Sequence, residues 1–176
     1  MNDPVALPGI DPIDPIDPID RLAILAAALP GAAVRHRRIA ASFDAVWQVI
    51  ADMEHATPRY EPAVARVRVI ERRGEFLRLL VQDTAGGEDT MDARLRPGWC
   101  LMQSATIVIA FAARRLDGST LLAHLEHRRV QVPASGRGGP DDRRAVFGGS
   151  GDRRAALAKI DEELRTIERL ATHPWH

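Results

Sequence analysis

Between Val64 and Val130 apolar residues recur at every second position, whereas on either side of that stretch they recur every third or fourth. This change of period limits the folds open to the chain more than any other feature, because period two belongs to strands and period three to four to helices. Val67 and Val69 alternate with Arg66 and Arg68; beyond a turn at Gly74, Leu77, Leu79 and Val81 alternate with Arg78, Leu80 and Gln82. Gly86-Gly87 makes the next turn, and Met91, Ala93 and Leu95 oppose Asp92, Arg94 and Arg96 up to Pro97-Gly98. Further strands are expected over residues 99–105, 107–116 and 120–130, the last two joined by Asp117-Gly118. One apolar and one charged face are what an antiparallel sheet covered on one side requires.

Helical segments flank this ribbon. A strand over 34–41 leads to Ser42, a good N-cap, and Phe43, Val46, Trp47, Ile50 and Met53 then share a helical face. Pro58 and Pro62 bracket a short helical turn containing Tyr60. Near the far end, Asp152 opens an amphipathic helix with Leu157, Ile160, Leu164, Ile167 and Ala171 on one stripe, wide enough to cover a sheet. The order predicts an α+β fold with an antiparallel sheet of about seven strands and the long helix on its apolar face.

The rest of the chain is less regular. From Ile10 to Asp20 the triplet Asp-Pro-Ile repeats, and proline at every third position blocks both helix and sheet. As polyproline II it would align Ile10, Ile13, Ile16 and Ile19 along one edge; a disordered tail and a strip that docks in a groove both stay open. Asp17 then caps a short helix carrying Leu22, Leu25 and Leu29, which Pro30-Gly31 ends. Residues 1–32 are therefore expected to be an appendage and 33–176 the main domain, with a connection rich in glycine and proline over 133–151.

Charge and cysteine content exclude several functions. Lysine plus arginine equals aspartate plus glutamate at 24 each, so no net field draws the chain to nucleic acid. Cys100, the single cysteine, rules out a disulfide framework and a multi-cysteine metal site, and a buried, inert thiol is expected there. No apolar run reaches the roughly 18 residues a bilayer demands, so no stable membrane insertion is expected. The segment before Leu22 is acidic rather than basic, unlike a secretory signal, and a cytoplasmic location follows as an expectation. No cofactor and no metal are expected: there is no glycine-rich phosphate loop, and His124 and His127, three apart, fall on opposite faces of a strand. Lys159 is the only lysine, which reads as a compositional bias toward arginine.

The run Ile39-Ala40-Ala41-Ser42 into Ala45-Val46-Trp47, then Ala51-Asp52-Met53-Glu54, Pro58-Arg59-Tyr60-Glu61-Pro62-Ala63-Val64, and Asp117-Gly118-Ser119-Thr120 carry a likeness in this order. Over residues 33–171 the chain resembles the START-like or SRPBCC superfamily, including polyketide cyclase/dehydrase-type and lipid-transfer proteins. That family usually has proline where Ser42 stands. The resemblance implies a helix-grip fold, a curved seven-stranded antiparallel sheet wrapped around the C-terminal helix, with two short helices after the first strand. It also implies an interior cavity for a hydrophobic or aromatic molecule, which should exceed roughly 300 Å³ if it carries a guest.

On that implication, the strand faces supply Val67, Val69, Leu79, Val81, Met91, Ala93, Leu95, Leu101 and Phe111 as ligand-binding candidates, and the last helix supplies Leu157, Ile160 and Leu164. Plain core packing would give the same pattern. Tyr60 resembles a family position near the cavity entrance. The last strand offers Leu122, His124, Glu126 and Arg128 on one face and Leu121, Ala123, Leu125, His127 and Arg129 on the other. Periodicity favours the second set inward, bringing His127 to the cavity mouth. If the first set faces inward, Glu126 can orient His124 as a general base, giving a catalytic pair. Three readings stay open: a binder of hydrophobic or aromatic small molecules, a polyketide cyclase/aromatase-type enzyme, and an interaction module with a filled pocket, for which a second copy of the chain, giving a homodimer, is one candidate partner.

Overall fold

The computed structural model describes residues 16–129 and 150–173, with the side chains of 150–152 left aside. Most of the Asp-Pro-Ile repeat and of the connection at 133–151 lies outside the described residues. Helix α1, Pro18–Ala28, is followed by strand β1, Ala33–Ile39, and by helices α2, Phe43–Ala51, and α3, Thr57–Tyr60. Six strands come next: β2 (Val64–Arg73), β3 (Phe76–Asp83), β4 (Glu88–Arg96), β5 (Trp99–Gln103), β6 (Ile107–Leu116) and β7 (Ser119–Arg128). Helix α4, Ser150–Thr172, ends the described chain.

Capping chemistry fixes where the helices start. The Asp17 carboxylate accepts the Ile19 amide at 2.8 Å with Pro18 in the first turn, and Ser42 Oγ accepts the Ala45 amide at 3.2 Å. Each satisfies an amide that the first helical turn leaves without a partner.

The seven strands form one antiparallel sheet in the order β1-β7-β6-β5-β4-β3-β2. Consecutive hairpins lay β2 to β7 side by side, and β1 closes on β7 with Ala33 opposite Glu126 and Ile39 opposite Thr120. Register shifts between Val64 and Arg66 and between Val69 and Glu71 interrupt the β2–β3 pairing, and such bulges bend a strand. Gly98, at φ 78°, makes the β4–β5 turn where the Ala113 carbonyl would sit 3.0 Å from any Cβ, so only glycine fits comfortably. The sheet is curved and grips the C-terminal helix.

Both faces of the sheet are covered. On the inner face α4, α2 and α3 pack with Val46, Ile50, Leu79, Phe111, Ile160, Leu164 and Ile167 in a continuous core. On the outer face α1 lays Ile19 and Leu22 over Trp99, Val108, Ala110, Ala112, Ala123 and Leu125. Two-sided burial explains a misleading signal in the sequence: β6 and β7 are apolar on both faces where α1 crosses them, so alternation there does not say which face looks inward. Among the described residues no helix is long and apolar enough to cross a membrane.

Candidate functional site

Between the inner face of the sheet and helices α3 and α4 lies a cavity of about 190 Å³. It falls short of the roughly 300 Å³ expected of a guest-carrying cavity, which counts against a large ligand, and is comparable with an engineered apolar cavity of about 150 Å³ that binds benzene. One ring therefore fits inside. Val67, Leu79, Val81, Met91 and Phe111 line it as the pattern of strand faces implied, and Tyr60 joins them. Val64, Met53, Met102, Ile107 and Ile109 complete the apolar wall.

Other candidates sit elsewhere. Val69, Ala93, Leu95, Leu157, Ile160 and Leu164 belong to the surrounding inner core but not to the lining, since neighbouring side chains fill the space around them. Leu101 packs in the outer core. His127 pairs with Val108, whose side chain lies under α1, so it too points to the outer face and does not reach the cavity mouth. The face of β7 that meets the cavity is instead Leu122, His124, Glu126 and Arg128, with the last three in the lining. Tyr60 is not at a watery rim: it is 5% exposed, meets Phe111 edge-on at 6.0 Å, and its hydroxyl lies 3.2 Å from Thr57 Oγ1.

Charged side chains interrupt the apolar lining. Exposed Asp83, Asp89 and Arg128 rim it where β3, β4 and β7 run out. Also in the lining, Lys159 of α4 gathers three carboxylates. Its Nζ contacts Glu61 Oε2, lies 2.6 Å from Glu126 Oε1, and lies 2.9 Å from Glu163 Oε1 one helical turn on. Glu61, just past α3, also accepts the Ala63 amide at 3.0 Å. His124 stacks on Phe111 at 4.1 Å between centroids. Its Nδ1 is 3.1 Å from Glu163 Oε2, close but not aligned as a hydrogen bond, and neither ring nitrogen has a hydrogen-bond partner. The residue beside the imidazole is thus Glu163 of α4, while Glu126, the neighbour on the same strand, pairs with Lys159.

Burial sets the protonation states. It pushes His124 down to about 3, so the imidazole is neutral at ordinary pH. It also pushes Glu61 up, helped by Glu163 alongside, and raises Glu163 against the opposing pull of Glu61 and Lys159. Burial alone would lower Lys159, but the carboxylates of Glu163 and Glu126 outweigh it and keep the ammonium above its ordinary range. The Tyr60 phenol is pushed up by burial, and the Cys100 thiol is pushed up to about 12 by the same cause, which leaves it an inert core group. With the ammonium filling the space between the carboxylates, no group among the described residues is arranged to hold a metal ion.

Glu61, Lys159 and Glu163 are functional candidates that sequence reasoning missed. A faint signal existed: Lys159 and Glu163 are four apart on α4, and Lys159 is the only lysine among 24 lysines and arginines. Nothing in the sequence says that this pair turns toward the sheet.

No protein-family model matches the sequence, and none of the curated proteins does. Solved structures do match. The protein TTHA0849 from Thermus thermophilus is 15% identical, covers 80% of this chain and 97% of its own, and superposes with a TM-score of 0.58. The Zhui aromatase/cyclase from Streptomyces sp. R1128 is 19% identical over 80% of this chain and 93% of its own, with a TM-score of 0.53. A START superfamily protein from Mycobacterium smegmatis is 17% identical over 80% and 97%, also with a TM-score of 0.53. At such identities the likeness is one of fold, and the fold is START-like: an α+β helix-grip of seven antiparallel strands around a C-terminal helix.

Proposed function

We propose that this protein binds a small hydrophobic or aromatic molecule in the cavity between the sheet and α4. The observation that carries the reading is an apolar slot lined by a buried histidine whose ring nitrogens lack hydrogen-bond partners. A wholly structural core avoids such a group, because leaving it unmatched costs about 1–3 kcal/mol. A guest that hydrogen-bonds the ring and lays its apolar body along Met91, Leu79 and Val67 removes that penalty. The volume restricts the enclosed part to about one ring, with any larger portion emerging past Asp83 and Asp89. Val81 is half-buried in the lining, so tryptophan there obstructs the slot with little strain on the core. Titration calorimetry with 2-phenylethanol should show saturable binding to the parent and none to Val81→Trp; equal binding to both would place the guest outside the slot.

A second, enzymatic reading draws on the Glu61–Glu163 pair. Carboxyls raised by burial in the lining of an apolar slot suit general acid-base work, and one structural neighbour is named an aromatase/cyclase. His124 is a poor base while burial holds its pKa near 3, so proton transfer would fall to Glu163. Conversion of a linear poly-β-ketone thioester should then slow about a hundredfold in Glu163→Gln. Conversion no faster than without protein would remove this reading.

A further inference from the structure

The slot is unbalanced in charge. Glu61, Glu126 and Glu163 surround the single ammonium of Lys159, and Asp83, Asp89 and Arg128 also line the slot. Five acids thus line the slot against two cations among the described residues. Glu126 and Glu163 are buried, and burial already disfavours their negative charge, so a further anion beside them is repelled and a cation is held. Independently, His124 is 2% exposed, lines the slot, and has no hydrogen-bond partner at either ring nitrogen. A neutral imidazole keeps one acceptor nitrogen; with its proton on Nδ1, toward Glu163 Oε2 at 3.1 Å, that acceptor is Nε2. Acidic surroundings and an open acceptor both call for a donor.

We infer that the guest is a hydrophobic amine: a compact ring along the apolar wall, with a protonated nitrogen directed at His124 Nε2 and the adjoining carboxylates. The inference rests on the cavity-binding reading above and narrows it to one ligand class. Carboxylates and phosphates are disfavoured by the acids that outnumber Lys159 and Arg128 in the lining, and a neutral alcohol meets the acceptor but leaves the charge unbalanced. The apolar wall gives affinity to all such rings, and the nitrogen provides the discrimination.

Three probes of one shape test this: 2-phenylethylamine, 2-phenylethanol and phenylacetate, titrated calorimetrically into the full chain at neutral pH. The amine should bind about tenfold more tightly than the alcohol, and phenylacetate most weakly. An alcohol as tight as the amine, or a tighter phenylacetate, would overturn the ligand class while leaving the cavity reading intact. No binding of any of the three to folded protein would overturn both. In Glu163→Gln the amine-to-alcohol affinity ratio should fall toward unity. An unchanged ratio in a folded variant would show that the nitrogen does not reach Glu163 and would overturn the proposed placement, and the parent's ligand series decides the matter if the variant fails to fold.

Discussion

His124 shows how one buried side chain links stability to pH. In the unfolded chain its imidazole titrates near 6.5, whereas burial pushes it down to about 3 in the fold. Between those values the unfolded state binds the extra proton, so this group's contribution is present above the unfolded pKa and is lost as pH falls. Glu61 and Glu163 act in the opposite sense. Their folded pKa values are raised, so their contribution is full below the ordinary carboxylate range and is lost as pH rises through the folded values. Replacing the imidazole by a neutral amide isolates the first effect: between about pH 7 and about pH 5 the urea midpoint of His124→Gln should fall less than that of the parent. Equal falls would mean that another group carries the titration. The sequence could point to His124 and Glu126 as residues two apart on one strand face. It could not supply Glu163, because a carboxylate on α4 reaches the ring only through the tertiary packing of helix on sheet.

At the scale of elements, α1 was legible almost to the residue because local chemistry marks both of its ends, with Asp17 and Pro18 at the start and Pro30-Gly31 just beyond. Its role was not legible, for a short amphipathic segment after a proline-rich repeat looks like an appendage. In the fold it covers the outer face, and Leu22 is wholly buried there. Leu22→Ala should destabilise the protein by about 2–4 kcal/mol in urea and sharply raise amide exchange over 18–28. A loss below about 1 kcal/mol would mean that α1 is not a stabilising layer. The same helix accounts for the misread face of β7. Once both faces of a strand are buried, apolar counting loses its direction, and the set beginning Leu121, Ala123 and Leu125 looks inward when it is in fact under α1.

For the whole molecule, the order of elements was readable because the change from period four to two and back needs no tertiary information. Hollow and filled grips share one pattern, however, so the cavity itself was not readable. Its volume follows from how the strands curve and how far α4 stands from them, and here it admits about one ring. Three of the four methionines, Met53, Met91 and Met102, line the cavity, while Met1 lies outside the described residues. Methyl-labelled methionine therefore reports on the interior through three of four signals. Titrating 2-phenylethanol into protein labelled at the methionine methyls and following them by NMR should shift Met53, Met91 and Met102 along one common saturation curve. Three unmoved interior methyls, with the protein folded and the probe in excess, would contradict a hollow grip that holds a guest.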